Sequence, residues 1–388
     1  MTVDTVEAVA VIPARGGSKG IPRKNLQRVG GRSLVRRSIE AALAATKVNH
    51  VVVSTDDDEI ASEARGAGAT IVERPESLSG DTATSESAVL HALDHIYGDP
   101  SIVLLVQATS PFLWAGDLDR LVDAVTLGEA DCAFTVTPWH GFIWSYGPAG
   151  AEGVSAGSNP RQRRQDLPPQ FLETGAAYAM RVAGLRASRQ RFFGRTEMVE
   201  IPAERSMEID DPADLQLACD LAPRLDRAWL ASKLPSPLGA VAFDFDGVMT
   251  DNLVTTDQEG RESIVSSRSD GMGIGMLHDA GVPMIVLSKE RNPVTTARCA
   301  KIRLDVVQGV DDKVTELTRW LDERGIDPAS AVYVGNDVND LGCMGFVGCG
   351  VAVSDAHPEV LASASAVLTH AGGHGAVREL ADAILARR

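Results

Sequence analysis

Val9-Ala10-Val11-Ile12-Pro13-Ala14-Arg15-Gly16-Gly17-Ser18-Lys19-Gly20-Ile21-Pro22-Arg23-Lys24-Asn25 is an apolar, β-branched run that breaks into a glycine loop studded with cations. The run reads as a buried strand. Glycines let backbone N–H groups come close to a phosphate, and interleaved Arg and Lys neutralise its charge. The loop is not a P-loop, which would need GxxxxGK[ST]. A flexible basic turn is the bland reading of glycine and lysine alone. Placement at the C-terminal end of a strand, where α/β sheets bind ligands, favours phosphate.

Working outward, apolar β-rich runs alternate with amphipathic stretches. The spacing predicts strands over 6–12, 50–54, 70–72 and 101–107, with helices over 33–45, 57–66 and 85–97. Strands alternating with helices imply a parallel sheet covered on both faces. Short strands over 131–136 and 196–200 would extend it. Periodicity fades over 139–169, which suits a substrate loop or a subunit arm. A helix over 211–227 closes this region, and paired prolines in Ser232-Lys233-Leu234-Pro235-Ser236-Pro237 read as a linker. A second α/β pattern follows, with strands expected over 240–244, 283–287, 306–308 and 331–334 and helices over 271–280, 311–324 and 376–386. The expected fold is α/β, two doubly wound Rossmann-like domains, with boundaries at 1–228, a linker at 229–239, and 240–388.

The 388 residues are 44% hydrophobic, enough for packed cores. A net charge of −16 argues against nucleic acid or an anionic membrane as partner. Phosphorylated substrates must then be met by local basic clusters or metal ions. The five scattered cysteines lack metal-ligand spacing and read as buried free thiols of a reducing compartment. No run is long enough to span a bilayer, and no signal pattern opens the chain, so a cytoplasmic location is expected.

The second chemical signature is Phe243-Asp244-Phe245-Asp246-Gly247-Val248-Met249-Thr250-Asp251. Asp244 and Asp246 share one face of a strand end, a spacing that suits a carboxylate nucleophile and an acid/base partner beside a metal ion. Ser288 follows a second apolar strand, Lys313 opens a helix, and Gly335-Asn336-Asp337-Val338-Asn339-Asp340 follows another strand. Each part alone has an ordinary reading, as a cap, a solvated cation or a turn. The ordered set does not.

The first region resembles the N-acylneuraminate (sialic acid) cytidylyltransferase family over 5–220. The resemblance is carried by the glycine loop, Val53-Ser54-Thr55-Asp56, Glu73-Arg74-Pro75, Asp81-Thr82-Ala83-Thr84-Ser85, Leu105-Val106-Gln107-Ala108-Thr109-Ser110-Pro111, Arg164-Gln165-Asp166-Leu167-Pro168, Gly175-Ala176-Ala177-Tyr178 and Ser206-Met207-Glu208-Ile209-Asp210-Asp211. It implies a nucleotide-diphospho-sugar transferase-like sheet. It also implies that Arg15 and Lys19 are catalytic and, with Gly17, Ser18 and Lys24, hold the triphosphate of CTP, while Asn25 and Arg74 help place the nucleotide. Gln107, Arg164, Tyr178, Phe192 and Phe193 would line the acceptor pocket, core packing being the equal alternative for the two phenylalanines. Glu208 and Asp210 would hold magnesium from one face of a strand, with Asp211 capping the next helix. The chain departs from the family at Glu208, usually aspartate, at Thr174, often asparagine, and at Ile143, near an expected Lys or Arg for the sugar carboxylate; Arg161 or Arg163 could compensate.

The region 240–388 resembles the haloacid-dehalogenase-like phosphatases, closest to the small branch acting on 3-deoxy-octulosonate 8-phosphate. A β-hairpin flap over 250–264 and Arg268-Ser269-Asp270-Gly271 support that branch. The resemblance implies that Asp244 forms an aspartyl-phosphate and Asp246 is the acid/base. Ser288 and Lys313 would bind the phosphoryl oxygens, Asp244, Asp246 and Asp337 would hold magnesium, and Asp340 would orient Lys313 or the metal shell. Together the resemblances imply a bifunctional, tetrameric enzyme. One half would make a CMP-activated nonulosonic acid from CTP, and the other would dephosphorylate a nonulosonate 9-phosphate. The alternative is a cytidylyltransferase for legionaminate, pseudaminate or an octulosonate whose second domain serves as an oligomerisation module.

Overall fold

The computed structural model describes residues 8–17, 20–80, 83–148, 150–154, 163 and 168–387. The chain divides into two compact units, Met1–Asp220 and Leu221–Arg388, and the division falls inside the helix Pro212–Lys233.

The first unit is built on a seven-stranded sheet. Its spatial order is Thr196–Glu200, Cys132–Trp139, Gln170–Arg181, Ile102–Val106, Ala8–Pro13, His50–Thr55 and Thr70–Glu73. Most neighbours pair in parallel, as alternation with helices predicts. Gln170–Arg181 is the exception, antiparallel to both of its neighbours. Alternate side chains feed two cores. Ala8, Ala10 and Ile12 pack on one face of the first strand, and Val9 and Val11 on the other. All five are fully buried, which is why this strand reads as a continuous apolar run rather than an alternating one.

Several elements of this unit lie outside the sequence expectation, among them the strand Gln170–Arg181, the helix Val182–Ser188 and two more. The helix Ala115–Thr126 buries Leu118, Leu121, Val122 and Val125 on one face, and a hairpin pairs Trp144–Gly147 with Gly150–Gly153 inside the supposedly irregular stretch. The helix expected to end at 227 runs through Pro223 to Lys233, so that proline does not terminate it.

The second unit carries a six-stranded, all-parallel sheet in the order Asp305–Gln308, Met284–Ser288, Ala240–Phe243, Ala331–Gly335, Cys349–Ala352 and Ala366–Val367. The flap is present as a short hairpin joining Thr255–Thr256 to Glu262–Ser263. All five cysteines are free; four are buried and Cys219 is half-buried. Burial pushes the thiols of Cys299 and Cys343 up to about 12 and that of Cys349 to about 11. No helix among the described residues is long and apolar enough to cross a membrane.

One buried ion pair positions the segment that carries Glu208 and Asp210. Arg205 donates to both carboxylate oxygens of Asp117, at 2.5 and 3.1 Å, and to the carbonyl of Phe112 at 3.2 Å. Its guanidinium lies 4.1 Å from the Trp114 ring centroid. Arg205 and Asp117 are only 5% and 1% exposed. Removing one partner strands a charge in the core, which costs about 3–5 kcal/mol. Asp117→Ala is therefore expected to lower the urea stability of the first unit by about that amount and to speed amide exchange over 203–211. Unchanged stability and exchange would show that this pair does not fix the segment.

Candidate functional site

In the first unit, side chains converge where the parallel strands end. Ala8–Pro13 delivers Arg15, His50–Thr55 delivers Asp56, Thr70–Glu73 delivers Arg74 and Ile102–Val106 delivers Gln107. A cavity of about 390 Å³ opens among them, lined by Arg15, Gly20, Lys24, Asn25, Arg74, Thr84, Gln107, Thr109 and Asp210, with three further residues. The structure thus brings Arg15, Lys24, Asn25, Arg74, Gln107 and Asp210 to one place. Ser18, Lys19 and Arg164 lie outside the described residues. Gly17 is exposed on the loop, and a Cβ there would meet nothing within 4 Å.

The loop is braced from beneath. Asn25 Nδ2 donates to the Arg15 carbonyl at 3.0 Å, and the Gly16 N–H donates to Asp56 Oδ1 at 3.0 Å. A Cβ on Gly20 would stand 2.5 Å from the Asp210 carbonyl oxygen, so only glycine fits this approach. Arg23 does not point to the cavity. It is tied to Glu59 and Asp57 at the start of the next helix. Arg74 is 9% exposed and held by Ser54 through its side chain and carbonyl, at 3.2 and 2.5 Å. Burial lowers its pKa, and Asp56 acts against that shift while Arg15 adds to it. An arginine keeps its proton through such a shift.

Glu208 and Asp210 differ from expectation. Residues 206–210 form no strand, so they do not share a face by alternation. Asp210 meets Lys24, whose Nζ donates to Asp210 Oδ1 at 3.2 Å and to the Ile209 carbonyl at 2.8 Å. Glu208 Oε1 accepts from Thr109 Oγ1 at 3.0 Å. Burial first, then the charges of Asp210 and Glu173, raise the Glu208 pKa. These two neighbouring, mutually repelling carboxylates have the hard oxygen chemistry that suits magnesium. Asp211 caps the following helix as expected, accepting from Ala213 and Asp214 N–H groups at 2.7 and 3.0 Å.

A second cavity of about 460 Å³ is lined by Thr84, Glu86, Glu173, Arg189, Gln190, Arg191 and Phe192. Tyr178 is buried beside it, with its ring 6.0 Å from that of Phe192. Phe192 is 40% exposed and available to a ligand. Phe193 is not a pocket residue, since it packs against the core and a Cβ on Gly184 would meet its ring at 2.0 Å. The sequence reading missed Glu86, Glu173 and Arg191, which carry no motif of their own. Thr174, at the family's asparagine position, is buried and bonded to Thr135 Oγ1 at 2.6 Å. Ile143 is 45% exposed.

In the second unit, the strand Ala240–Phe243 stops just before Asp244, and a turn at Gly247, whose N–H donates to Thr250 Oγ1 at 3.1 Å, carries Asp246. Lys313 Nζ reaches Asp244 Oδ2 at 2.9 Å and Asp340 Oδ1 at 2.8 Å. Asp340 also accepts from the Tyr333 hydroxyl at 2.8 Å and from the N–H groups of Asn336 and Asp337 at 2.9 and 3.2 Å. It orients Lys313, one of the two roles read for it. Ser288 Oγ donates to Asp246 Oδ2 at 3.4 Å. Burial, followed by the charge of Asp340, pushes the Asp244 carboxyl up to about 7. Burial, then Glu290, raises Asp246 as well.

Asp337 stands at the same sheet edge, but its Oδ1 accepts from the Val338 N–H at 2.7 Å. Among the described residues no group of three or more His, Cys, Asp or Glu side chains is gathered so as to hold a metal. The donors nevertheless fit a hard cation. Asp244 and Asp340 share one lysine, Asp246 stands two residues on with its pKa raised by burial and by Glu290, and among the described residues the buried Asn336 Oδ1 has no hydrogen-bond partner. Magnesium at such a position would relieve the carboxylate excess.

Comparison with known proteins agrees with this division. Residues 9–143 match the cytidylyltransferase family, and residues 286–380 match the haloacid dehalogenase-like hydrolases. N-acylneuraminate cytidylyltransferase A of Danio rerio is 30% identical over 97% of this chain and 88% of its own length. The Escherichia coli 3-deoxy-D-manno-octulosonate 8-phosphate phosphatase KdsC is 34% identical over 37% of this chain and 77% of its own. A solved haloacid-dehalogenase family hydrolase from Streptomyces avermitilis is 47% identical over 39% of this chain and 88% of its own, with a TM-score of 0.39. With a curated relative aligned along nearly its whole length, the chain belongs to the N-acylneuraminate cytidylyltransferase family, and it carries a haloacid-dehalogenase-like domain of the KdsC type.

Proposed function

We propose that the chain is a bifunctional enzyme, with cytidyl transfer in residues 1–228 and sugar-phosphate hydrolysis in 240–388, joined by 229–239. The first reaction transfers CMP from CTP to a nonulosonic acid of the sialic type. The observation that carries it is the cavity of about 390 Å³, walled by Arg15, Lys24, Asn25 and Arg74, in a chain that aligns over 97% of its length with an N-acylneuraminate cytidylyltransferase. The acceptor's anomeric hydroxyl attacks the α-phosphorus and loses its proton to solvent water, the α–β phosphoanhydride bond breaks, and pyrophosphate leaves. Arg15 and Lys24 neutralise the triphosphate, and Gly17, Ser18 and Lys19 bind it as the family resemblance implies. Lys24 exchanges Asp210 for phosphate as CTP arrives. Gln107, Arg164, Tyr178 and Phe192 position the acceptor. Magnesium held by Glu208 and Asp210 would supply further charge neutralisation. Catalysis then rests on positioning and electrostatics.

The second reaction hydrolyses a nonulosonate 9-phosphate. Asp244 attacks phosphorus and forms an aspartyl-phosphate while Asp246 gives its proton to the leaving alcohol. Asp246 then takes a proton from water, which attacks phosphorus and frees phosphate and Asp244. Its raised pKa supports the first of these roles. Lys313 has a third N–H beyond those facing Asp244 and Asp340 for a phosphoryl oxygen, and Ser288 binds another. Magnesium held by Asp244, the Asp246 carbonyl and Asp337 would withdraw charge from the transferring phosphoryl group. Apolar residues exposed beside the flap, Leu253, Val254 and Val265 at 70%, 54% and 76%, support self-association, and the likeness to the octulosonate 8-phosphate phosphatase branch makes a homotetramer the proposed assembly. The free cysteines support work in the cytoplasm.

CTP-dependent pyrophosphate release by the full chain tests the first reading across N-acetylneuraminate, its deaminated analogue, legionaminate, pseudaminate and 3-deoxy-octulosonate. Turnover with a nine-carbon sialic-type acid is expected, and turnover with the octulosonate alone would move the acceptor class. Asp244→Asn tests the second. It is expected to cut phosphate release from the 9-phosphate by roughly a thousandfold while pyrophosphate release stays within about twofold. A wild type without phosphatase activity would leave the second domain an assembly module. Chelation by EDTA is expected to stop both reactions, and added magnesium to restore them; full activity in EDTA would contradict both metal assignments.

A further inference from the structure

Glu173 and Tyr178 are five positions apart on one strand. Regular alternation would send side chains at that odd spacing to opposite faces of the sheet. Here the Tyr178 hydroxyl donates to Glu173 Oε1 at 2.5 Å. The strand's pairing with Cys132–Trp139 is broken between the two, where Glu173 faces Val136 and Tyr178 faces Phe134. Gly175, at a φ of +72°, takes the left-handed backbone that this break needs. Bulges beside active sites commonly re-aim a side chain, and this one turns a carboxylate to the wall of the cavity of about 460 Å³.

Among the described residues Tyr178 is the one hydrogen-bond partner of that carboxylate. Two arginines, Arg189 and Arg191, line the same cavity, and among the described residues neither hydrogen-bonds Glu173. Arg191 donates to Glu86 Oε1 at 2.6 Å and lies 4.5 Å over the Tyr178 ring. Burial first, then the bond to Glu173, pushes the Tyr178 phenol up to about 12, so it remains a donor throughout the working range. Glu173 is therefore a fixed anionic acceptor with one oxygen committed and the other available, beside the exposed ring of Phe192. Its charge also reaches Glu208. An anion at this wall repels a carboxylate and welcomes O–H or N–H donors carried on an apolar frame.

We propose that Glu173 is a specificity-determining, substrate-binding residue: it accepts a hydrogen bond from a hydroxyl or amide N–H at the uncharged end of the acidic sugar, so that this end enters the cavity and the sugar's carboxylate stays outside it. The proposal rests on the cytidyl-transfer reading above and adds to it the direction in which the acceptor lies.

The test is steady-state pyrophosphate release by the full chain with N-acetylneuraminate and CTP, comparing wild type, Glu173→Gln and Tyr178→Phe. Glu173→Gln is expected to raise the acceptor KM roughly tenfold or more while the KM for CTP stays within about twofold, as loss of a charge-assisted hydrogen bond to one substrate requires. Tyr178→Phe keeps the carboxylate but frees it, and a smaller rise of a few-fold is expected. Wild-type protein supplies an arm that no folding defect can cloud. Acceptor analogues with single donors remote from the carboxylate replaced by hydrogen or O-methyl should lose about tenfold in kcat/KM at the position that faces Glu173. Turnover in the wild type with an unchanged acceptor KM in Glu173→Gln, or equal kcat/KM across the analogues, overturns this inference alone. No turnover in the wild type with any acceptor overturns the cytidyl-transfer reading and this inference with it.

Discussion

A parallel strand must have both faces covered, because the helices that return the chain lie above and below the sheet. That constraint governs both units. Val9 and Val11 feed one core while Ala8, Ala10 and Ile12 feed the other, and neither face of the sheet can carry chemistry. Polar function is confined to the edge where strands end and loops begin. Arg15, Asp56, Arg74 and Gln107 collect at that edge in the first unit, and Asp244, Ser288 and Asp337 in the second. Two unlike candidate sites thus occupy equivalent places on two sheets.

A chain of net charge −16 that handles phosphate must keep its cations in place. Both sites do so by pairing them with carboxylates. In the first unit Lys24, which lines the cavity, is held by Asp210. In the second unit Lys313 sits between Asp244 and Asp340, 4% exposed. A buried lysine in that position keeps its proton because two carboxylates outweigh its desolvation; burial lowers its pKa most, but the two charges and their hydrogen bonds leave it raised. Asp244 is raised by its own burial and by the charge of Asp340, with Lys313 acting the other way. Each cation is presented in a defined direction before a phosphate arrives, at the expense of exchanging one partner for another.

The parts of this arrangement that were legible in the sequence are those written in local pattern. The strand–loop at 9–25, the short strands extending the first sheet and the DxD turn follow from periodicity and spacing, while the Lys313–Asp340 contact was legible only through the family resemblance. What was not legible depends on pairing between distant segments. The long strand Gln170–Arg181 contains a glycine in the left-handed region and runs against its neighbours, so no simple period marks it. The helix Ala115–Thr126 has an apolar face at Leu118, Leu121, Val122 and Val125, but its first residue is preceded by no Ser, Thr, Asp or Asn cap to mark its start. Phe192 and Phe193 are adjacent, and only packing against Gly184 decides that the second turns inward. Glu173 and Arg191 belong to the second cavity through a bulge and an ion pair, neither of which leaves a sequence signature.

The distribution of thiols gives the molecule a single practical handle. Cys299, Cys343 and Cys349 are buried and held protonated far above neutral pH, so they are poor nucleophiles. Cys132 is buried as well, bonded to the Phe193 carbonyl and Thr196. Cys219 alone is partly accessible, and its sulfur lies 3.5 Å from the carbonyl of Arg28, three residues beyond the Asn25 that braces the glycine loop. A maleimide dye would therefore attach beside the nucleotide loop of the native sequence, with no cysteine to remove first, and would give that loop a spectroscopic voice of its own.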